Sequence, residues 1–175
     1  MTQLSARTRA IYLGIAALIF VLDRWTKIIV AKKIALFDSV SVIPGCFKIT
    51  HLRNTGAAFS LFADAPATWR MIMLVAFSLV ALCIVVYLLA KGSHRLSLQG
   101  GALALILGGA LGNLWDRIVH GWVTDFLLVY YKRWEWPAFN VADSAICVGA
   151  VLLIGEMLFR RDEGAETKQR LGVTE

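Results

Sequence analysis

The chain is poor in the residues from which metal centres and disulfide frameworks are built. It holds three cysteines and three histidines in 175 residues. Cys83 and Cys147 fall inside apolar runs and Cys46 in a polar connection. None has the spacing of a zinc site or a disulfide framework, so all three read as small hydrophobic packing residues. His51, His94 and His120 are scattered, and the absence of an H-E-x-x-H pattern leaves a zinc protease without ligands. Ser39, Ser41 and Ser60 carry no G-x-S-x-G or S-x-x-K signature. A serine nucleophile paired with Lys27, the one strong candidate base in an apolar segment, therefore has little support. No internal repeat of the inverted type used by transporters is visible.

What is present is apolar. Hydrophobic residues make up 58% of the chain, and mean hydropathy is +0.67. That exceeds an ordinary soluble domain and marks an integral membrane protein of one domain. The formal net charge is +6. In a soluble protein this would suggest nucleic acid. Here the basic residues flank apolar segments, which favours the membrane surface and predicts no nucleic-acid partner.

Two uncharged runs are long enough to cross a ~30 Å hydrocarbon core as helices. Met71 to Ala90 has 20 residues and Ser97 to Trp115 has 19. The second contains Gly100, Gly101, Gly108, Gly109 and Gly112, and small residues let membrane helices approach closely. Two further spans carry charge. One is 10–31, with Asp23, Arg24 and Lys27; the other is 139–159, with Asp143 and Glu156. Arg7 and Arg9 before the run Ala10 to Leu22 also resemble a secretory signal peptide. However, the charged Asp23-Arg24-Trp25-Thr26-Lys27 and more apolar residues follow, so a retained helix is expected. Spans at about 10–31, 71–90, 97–116 and 139–159 place both termini on one side. Arg7, Arg9, Lys91, Arg95, Arg160 and Arg161 make that side cytoplasmic, against weaker opposition from Lys32, Lys33, Lys132 and Arg133.

The outer connections promise local structure. Ser39 to Ile43 and the start of Phe47 to Arg53 alternate polar and apolar around Pro44-Gly45, the pattern of a hairpin. Phe126 to Tyr131 could add a strand. Trp122, Tyr130, Tyr131, Trp134 and Trp136 suit an interfacial aromatic belt. The expected fold is thus an all-α membrane protein with four transmembrane helices and a small extramembrane β-hairpin or sheet on the outer side. A single domain covers 1–160. Residues 161–175 form a polar cytoplasmic tail of mixed charge, without a packed structure of its own.

Ionisable groups beside apolar spans are costly and usually functional. Asp125 follows the exit of the third span and Asp143 enters the fourth, so topology brings both carboxylates to the outer face at similar depth. Pro137 and Asn140 are helix-start residues, with Asn140 a candidate N-cap. Asp143 then lies in the first turn, where an acidic residue is also ordinary capping chemistry. Asp23 and Lys27, four apart, share a helix face. Asn113, Asp116 and Arg117 form a second polar cluster at the end of the third span. Either cluster serves equally as structural glue. Asn54 lies in a turn-like RNTGAAF segment where Gly56 can supply an unusual backbone angle.

At these residues the chain resembles the bacterial lipoprotein signal peptidases (signal peptidase II). The matching segments are LDRWTK (Leu22 to Lys27), RNTGAAF (Arg53 to Phe59), GGALGNLWDR (Gly108 to Arg117), VTDF (Val123 to Phe126) and FNVADS (Phe139 to Ser144). Five segments in order are specific where any one would be weak. The resemblance implies an aspartic endopeptidase of the bacterial inner membrane, with its active site near the periplasmic face. It implies substrates that are prolipoproteins whose cysteine already carries diacylglycerol, cut just before that cysteine. It assigns Asp125 and Asp143 as the catalytic pair. Asp23, Lys27, Asn54, Gly56, Asn113, Asp116, Arg117 and Asn140 fall at positions that bind substrate or shape the site. Membrane lipid and the inhibitor globomycin are the other implied partners, and no metal or cofactor is implied.

Two close aspartates resist double ionisation and share a proton. One can then activate water while the other, protonated, hydrogen-bonds the scissile carbonyl oxygen. The helix start favours ionised Asp143, and burial beside apolar groups favours protonated Asp125. Two rivals stay open at this point. A transporter or channel would spread charge through the depth of the bundle. A membrane scaffold would need no aspartate pair.

Overall fold

The computed structural model describes residues 5–56, 66–91 and 96–170, with side chains described to 159. Ala57 to Phe59, Ser60, His94 and Arg95 lie outside the described residues, as do the side chains of Arg160 and Arg161.

The described residues form four helices: α1 (Ala6–Lys33), α2 (Ala67–Lys91), α3 (Leu98–His120) and α4 (Val141–Arg170). Three have stretches long and apolar enough to cross a membrane among the described residues: Thr68–Lys91, Leu98–His120 and Val141–Phe159. Helix α1 has the length, but Asp23, Arg24 and Lys27 interrupt its apolar run. Helix α4 continues to Arg170, beyond the expected end of the fourth span at Phe159.

Helix α3 is central and packs against α1, α2 and α4. Its small residues permit this. A Cβ at Gly108 would fall 2.5 Å from the Ala16 carbonyl oxygen of α1, and one at Gly109 would strike the Ala142 carbonyl of α4. The apolar core joins Ala16 of α1, Leu82 and Val85 of α2, and Leu103, Leu107 and Leu114 of α3. Outside it the helices expose large apolar side chains such as Phe77, Val80, Val151 and Ile154. So broad an apolar surface is covered by lipid in a membrane protein. The three cysteines are free, and all are exposed rather than packed. Cys83 and Cys147 therefore occupy outer helix faces, which corrects the expectation of packing thiols.

Four antiparallel strands form a sheet in the order β1 (Ser39–Ile43), β2 (Phe47–Asn54), β3 (Val123–Tyr131) and β4 (Trp134–Glu135). The expected hairpin is β1–β2, turning at Pro44-Gly45, where Gly45 takes φ +80°. The third strand begins earlier than the aromatic run suggested and so includes Asp125. Helix α3 ends at Gly121, whose φ of +85° is the left-handed conformation that glycine adopts without a Cβ penalty. That reversal sends the chain straight into β3. Strand β3 also pairs with the segment ahead of α4: Phe126 and Leu127 donate N–H bonds to the Phe139 carbonyl, and Phe139 donates to Leu127. Asp125 and Asn140 are fixed by this pairing.

Candidate active site

The site lies where the ends of α1 and α3, the start of α4 and strands β2–β3 converge. Asn140 is fully buried and works in two directions. Its Oδ1 accepts from the Asp143 backbone N–H at 2.9 Å, and its own N–H donates to Asp143 Oδ2 at 3.1 Å. This is a reciprocal capping box, so the capping reading of Asp143 holds. The Asn140 side chain also donates to Asp125 Oδ1 at 2.8 Å. One residue thus touches both carboxylates.

Each carboxylate has one further amide donor. Asn54 Nδ2 reaches Asp125 Oδ2 at 2.9 Å, and Asn113 Nδ2 reaches Asp143 Oδ1 at 2.7 Å. Asn54 is itself anchored by the Gly56 N–H, at 2.7 Å from its Oδ1, with Gly56 at φ +94°. The register of β2 on β3 places Leu52 opposite Asp125 and Asn54 opposite Val123. Because side chains alternate along strands, Asn54 and Asp125 share one face of the sheet.

Beneath the pair lies a buried ionic network. Lys27, 3% exposed, points Nζ at Asp23 Oδ2 (2.7 Å), Asp116 Oδ2 (2.8 Å) and Asn113 Oδ1 (3.0 Å). Three acceptors match the three N–H bonds of an ammonium, so Lys27 is committed to charge pairing and is no free base. The other Asp23 oxygen accepts the Ala142 N–H at 3.0 Å. It thereby satisfies an N–H in the first turn of α4, where the helix dipole favours an anion. Gly112 makes room for Asp23, since a Cβ there would sit 2.6 Å from Asp23 Oδ2. Asp116 is also paired with Arg24, a partner the sequence reading did not single out. The pair joins α1 to α3, so no local spacing points to it.

The two clusters expected separately therefore form one network through Lys27. Arg117 stands apart from it. Its Nη1 lies 3.4 Å from the Asn113 carbonyl, and its charge interacts with Asp143, Asp125 and Asp116. It is half-buried.

Asp125 is 3% exposed. Burial pushes its carboxyl up to about 6. The Asn54 bond opposes the rise, the nearby Asp143 charge adds to it, and Asn140 and Lys27 oppose it. The sequence left Asp125 without evident support. In fact two amide donors hold it, both distant in sequence.

All ten expected residues are thus brought to one region, with Gly56 contributing through Asn54 and Asp23 through Lys27. Among the described residues, no three His, Cys, Asp or Glu side chains gather as a metal-ligand set.

Apolar helices enclosing a buried polar centre under a small sheet define the class as a helical membrane protein. A solved bacterial membrane enzyme, determined in meso at 2.3 Å resolution, matches with a TM-score of 0.79 and 30% identity, over 92% of this chain and 93% of that one. The model of signal peptidase (SPase) II matches residues 15–159. The lipoprotein signal peptidase of Actinobacillus succinogenes is 47% identical over 82% of this chain and 86% of its own length. That of Geobacter sulfurreducens is 49% identical over 79% and 85%. The chain belongs to the signal peptidase II family, and is accordingly a membrane peptidase.

Proposed function

We propose that this protein removes the signal peptide from prolipoproteins whose cysteine carries diacylglycerol, cutting just before that cysteine. Asp125 and Asp143 activate water without a covalent intermediate. The observation that carries this reading is Asn140, which hydrogen-bonds both carboxylates within one buried amide-lined centre.

In the free enzyme Asp125 holds the shared proton, in keeping with its raised carboxyl. Asp143 acts as base toward water, which attacks the scissile carbonyl carbon. The Asp125 proton hydrogen-bonds the carbonyl oxygen as it gains charge. The proton taken by Asp143 then passes to the leaving amine, and the dyad returns to its starting form. Arg117 supplies positive charge beside the developing oxyanion.

Four spans, with α1 the first, set both termini on the cytoplasmic side of the inner membrane. The sheet and the catalytic pair then lie near the periplasmic face. The catalytic domain is 1–160, and 161–175 is a cytoplasmic extension. Gathering of polar groups at one end of the bundle supports an enzyme over a channel.

The deciding test is cleavage of a lipidated prolipoprotein by the purified full chain, with and without globomycin and with a strong chelator. Cleavage before the lipidated cysteine, blocked by globomycin and indifferent to the chelator, is expected. Cleavage elsewhere, or loss on chelation restored by zinc, contradicts the proposal.

A further inference from the structure

The reverse face of the sheet carries a second polar cavity. Arg53 faces Thr124 across β2–β3, and both alternate away from Asp125. They line a cavity of about 240 Å³ together with Arg24, His51, His120 and Trp122. Arg53 lies over the Trp122 ring, 4.1 Å from its centroid, and His120 packs against the same ring at 5.9 Å. Arg24 and Lys27 are shared with Asp116. Arg53 has no carboxylate partner among the described residues. The cavity therefore holds a guanidinium, fixed by stacking, with bonding capacity to spare.

An apolar groove adjoins it along the same helices. It has a volume of about 540 Å³ and lies between Leu13, Ala17 and Phe20 of α1 and Leu111, Trp115 and Ile118 of α3. On α1 the residues Leu13, Ala17, Phe20, Arg24 and Ile28 recur at three- and four-residue spacing, so groove and cavity follow one helical stripe. From Leu13 to Arg24 a helix rises about 17 Å. One leaflet is about 15 Å deep, half of a ~30 Å core.

We infer that the α1–α3 groove and the Arg53 cavity together bind one glycerophospholipid, with its headgroup toward the sheet. Its phosphate meets Arg53 and Arg24, and an acyl chain lies along Leu13 to Phe20. The charge of the cavity favours an anionic lipid over a neutral one, and the apolar groove accepts an acyl chain. The lipid touches neither Asp125 nor Asp143, although Lys27 and Asp116 of the network beneath that pair also line the cavity.

Native mass spectrometry of the full chain in detergent tests this with two probes of identical chains, dioleoyl phosphatidylglycerol and dioleoylglycerol. Retention of one phosphatidylglycerol is expected, with dioleoylglycerol about tenfold weaker, the scale of one charge-assisted hydrogen bond. Arg53→Gln should weaken phosphatidylglycerol to the level of dioleoylglycerol, and Arg53→Lys should recover most of the difference. Ala17→Phe, filling the groove at an exposed position, should weaken both lipids alike. Equal retention of the two lipids by the unaltered chain would overturn the proposal, and that comparison needs no variant to fold. So would full retention in Arg53→Gln or in Ala17→Phe. Displacement of the lipid by millimolar inorganic phosphate would instead identify a free-anion site and equally reject it.

Discussion

At the residue scale, the two carboxylates of the proposed pair have unlike surroundings. Asp125 sits on a strand, buried, between two side-chain amides. Asp143 sits in a helix first turn, half-exposed, with one oxygen on a backbone N–H and the other on Asn113. Asp125→Asn and Asp143→Asn should each lower prolipoprotein cleavage by at least ~10²-fold, the usual contribution of a positioned acid or base. Far-ultraviolet circular dichroism should be unchanged. Substantial turnover by either purified variant would remove the pair from the mechanism. A subtler test uses Asn54. Its bond stabilises the ionised form of Asp125, whose carboxyl stands at about 6. A mechanism that needs Asp125 protonated loses rate as pH rises through that value. Asn54→Ala removes a bond that lowers the value, so the basic limb of kcat/KM should move to higher pH. A limb that stays in place would assign it to another group. The same carboxyl affects stability. Its folded value lies above the ordinary 3.8, so its favourable contribution is full below pH 3.8 and fades as pH rises through about 6.

At the scale of elements, α3 is the frame. Glycines on two of its sides admit α1 and α4, and Gly112 leaves Asp23 space to reach the start of α4. Gly112→Val should force α1 from α3 and cost about 1–3 kcal/mol, the range for overpacking. Thermal unfolding in detergent should show a lower midpoint, and cleavage should fall with it. An unchanged midpoint would mean that α1 tolerates displacement there. Much of this frame was legible from composition. Uncharged length marked α2 and α3, Gly and Ala marked the interior helix, and alternation around Pro44-Gly45 marked β1–β2. Helix capping was legible at Asn140 and Asp143, since it needs only residues three apart. The path of Asp125 was not. Strand β3 exists because β2 and Phe139 pair with it, and local periodicity shows neither pairing. The Arg24–Asp116 pair was hidden for the same reason, being set by how α1 packs on α3.

On the scale of the whole molecule, polar and apolar groups separate by depth. Ion pairs and amides gather where the sheet meets the helices, and apart from groups such as Glu156 and the Tyr12–Ser97 pair the rest of the bundle is mainly apolar. Basic flanks then predict direction. A cysteine introduced at Lys48, in a background lacking Cys46, should react with a membrane-impermeant thiol reagent in intact spheroplasts. A cysteine placed in the 161–175 segment should not. The reverse labelling would invert the topology.

Asn140 closes the first turn of α4 and also hydrogen-bonds both carboxylates, while β3 is held by the residue just before it. Completing the last helix and completing the reactive centre are therefore a single event. A chain still emerging into the bilayer, with α1 to α3 inserted and α4 absent, has Asp125 but neither its Asn140 donor nor its partner. On the proposed mechanism, peptidase activity then begins only when the final span has docked, and synthesis itself guards the membrane against premature proteolysis.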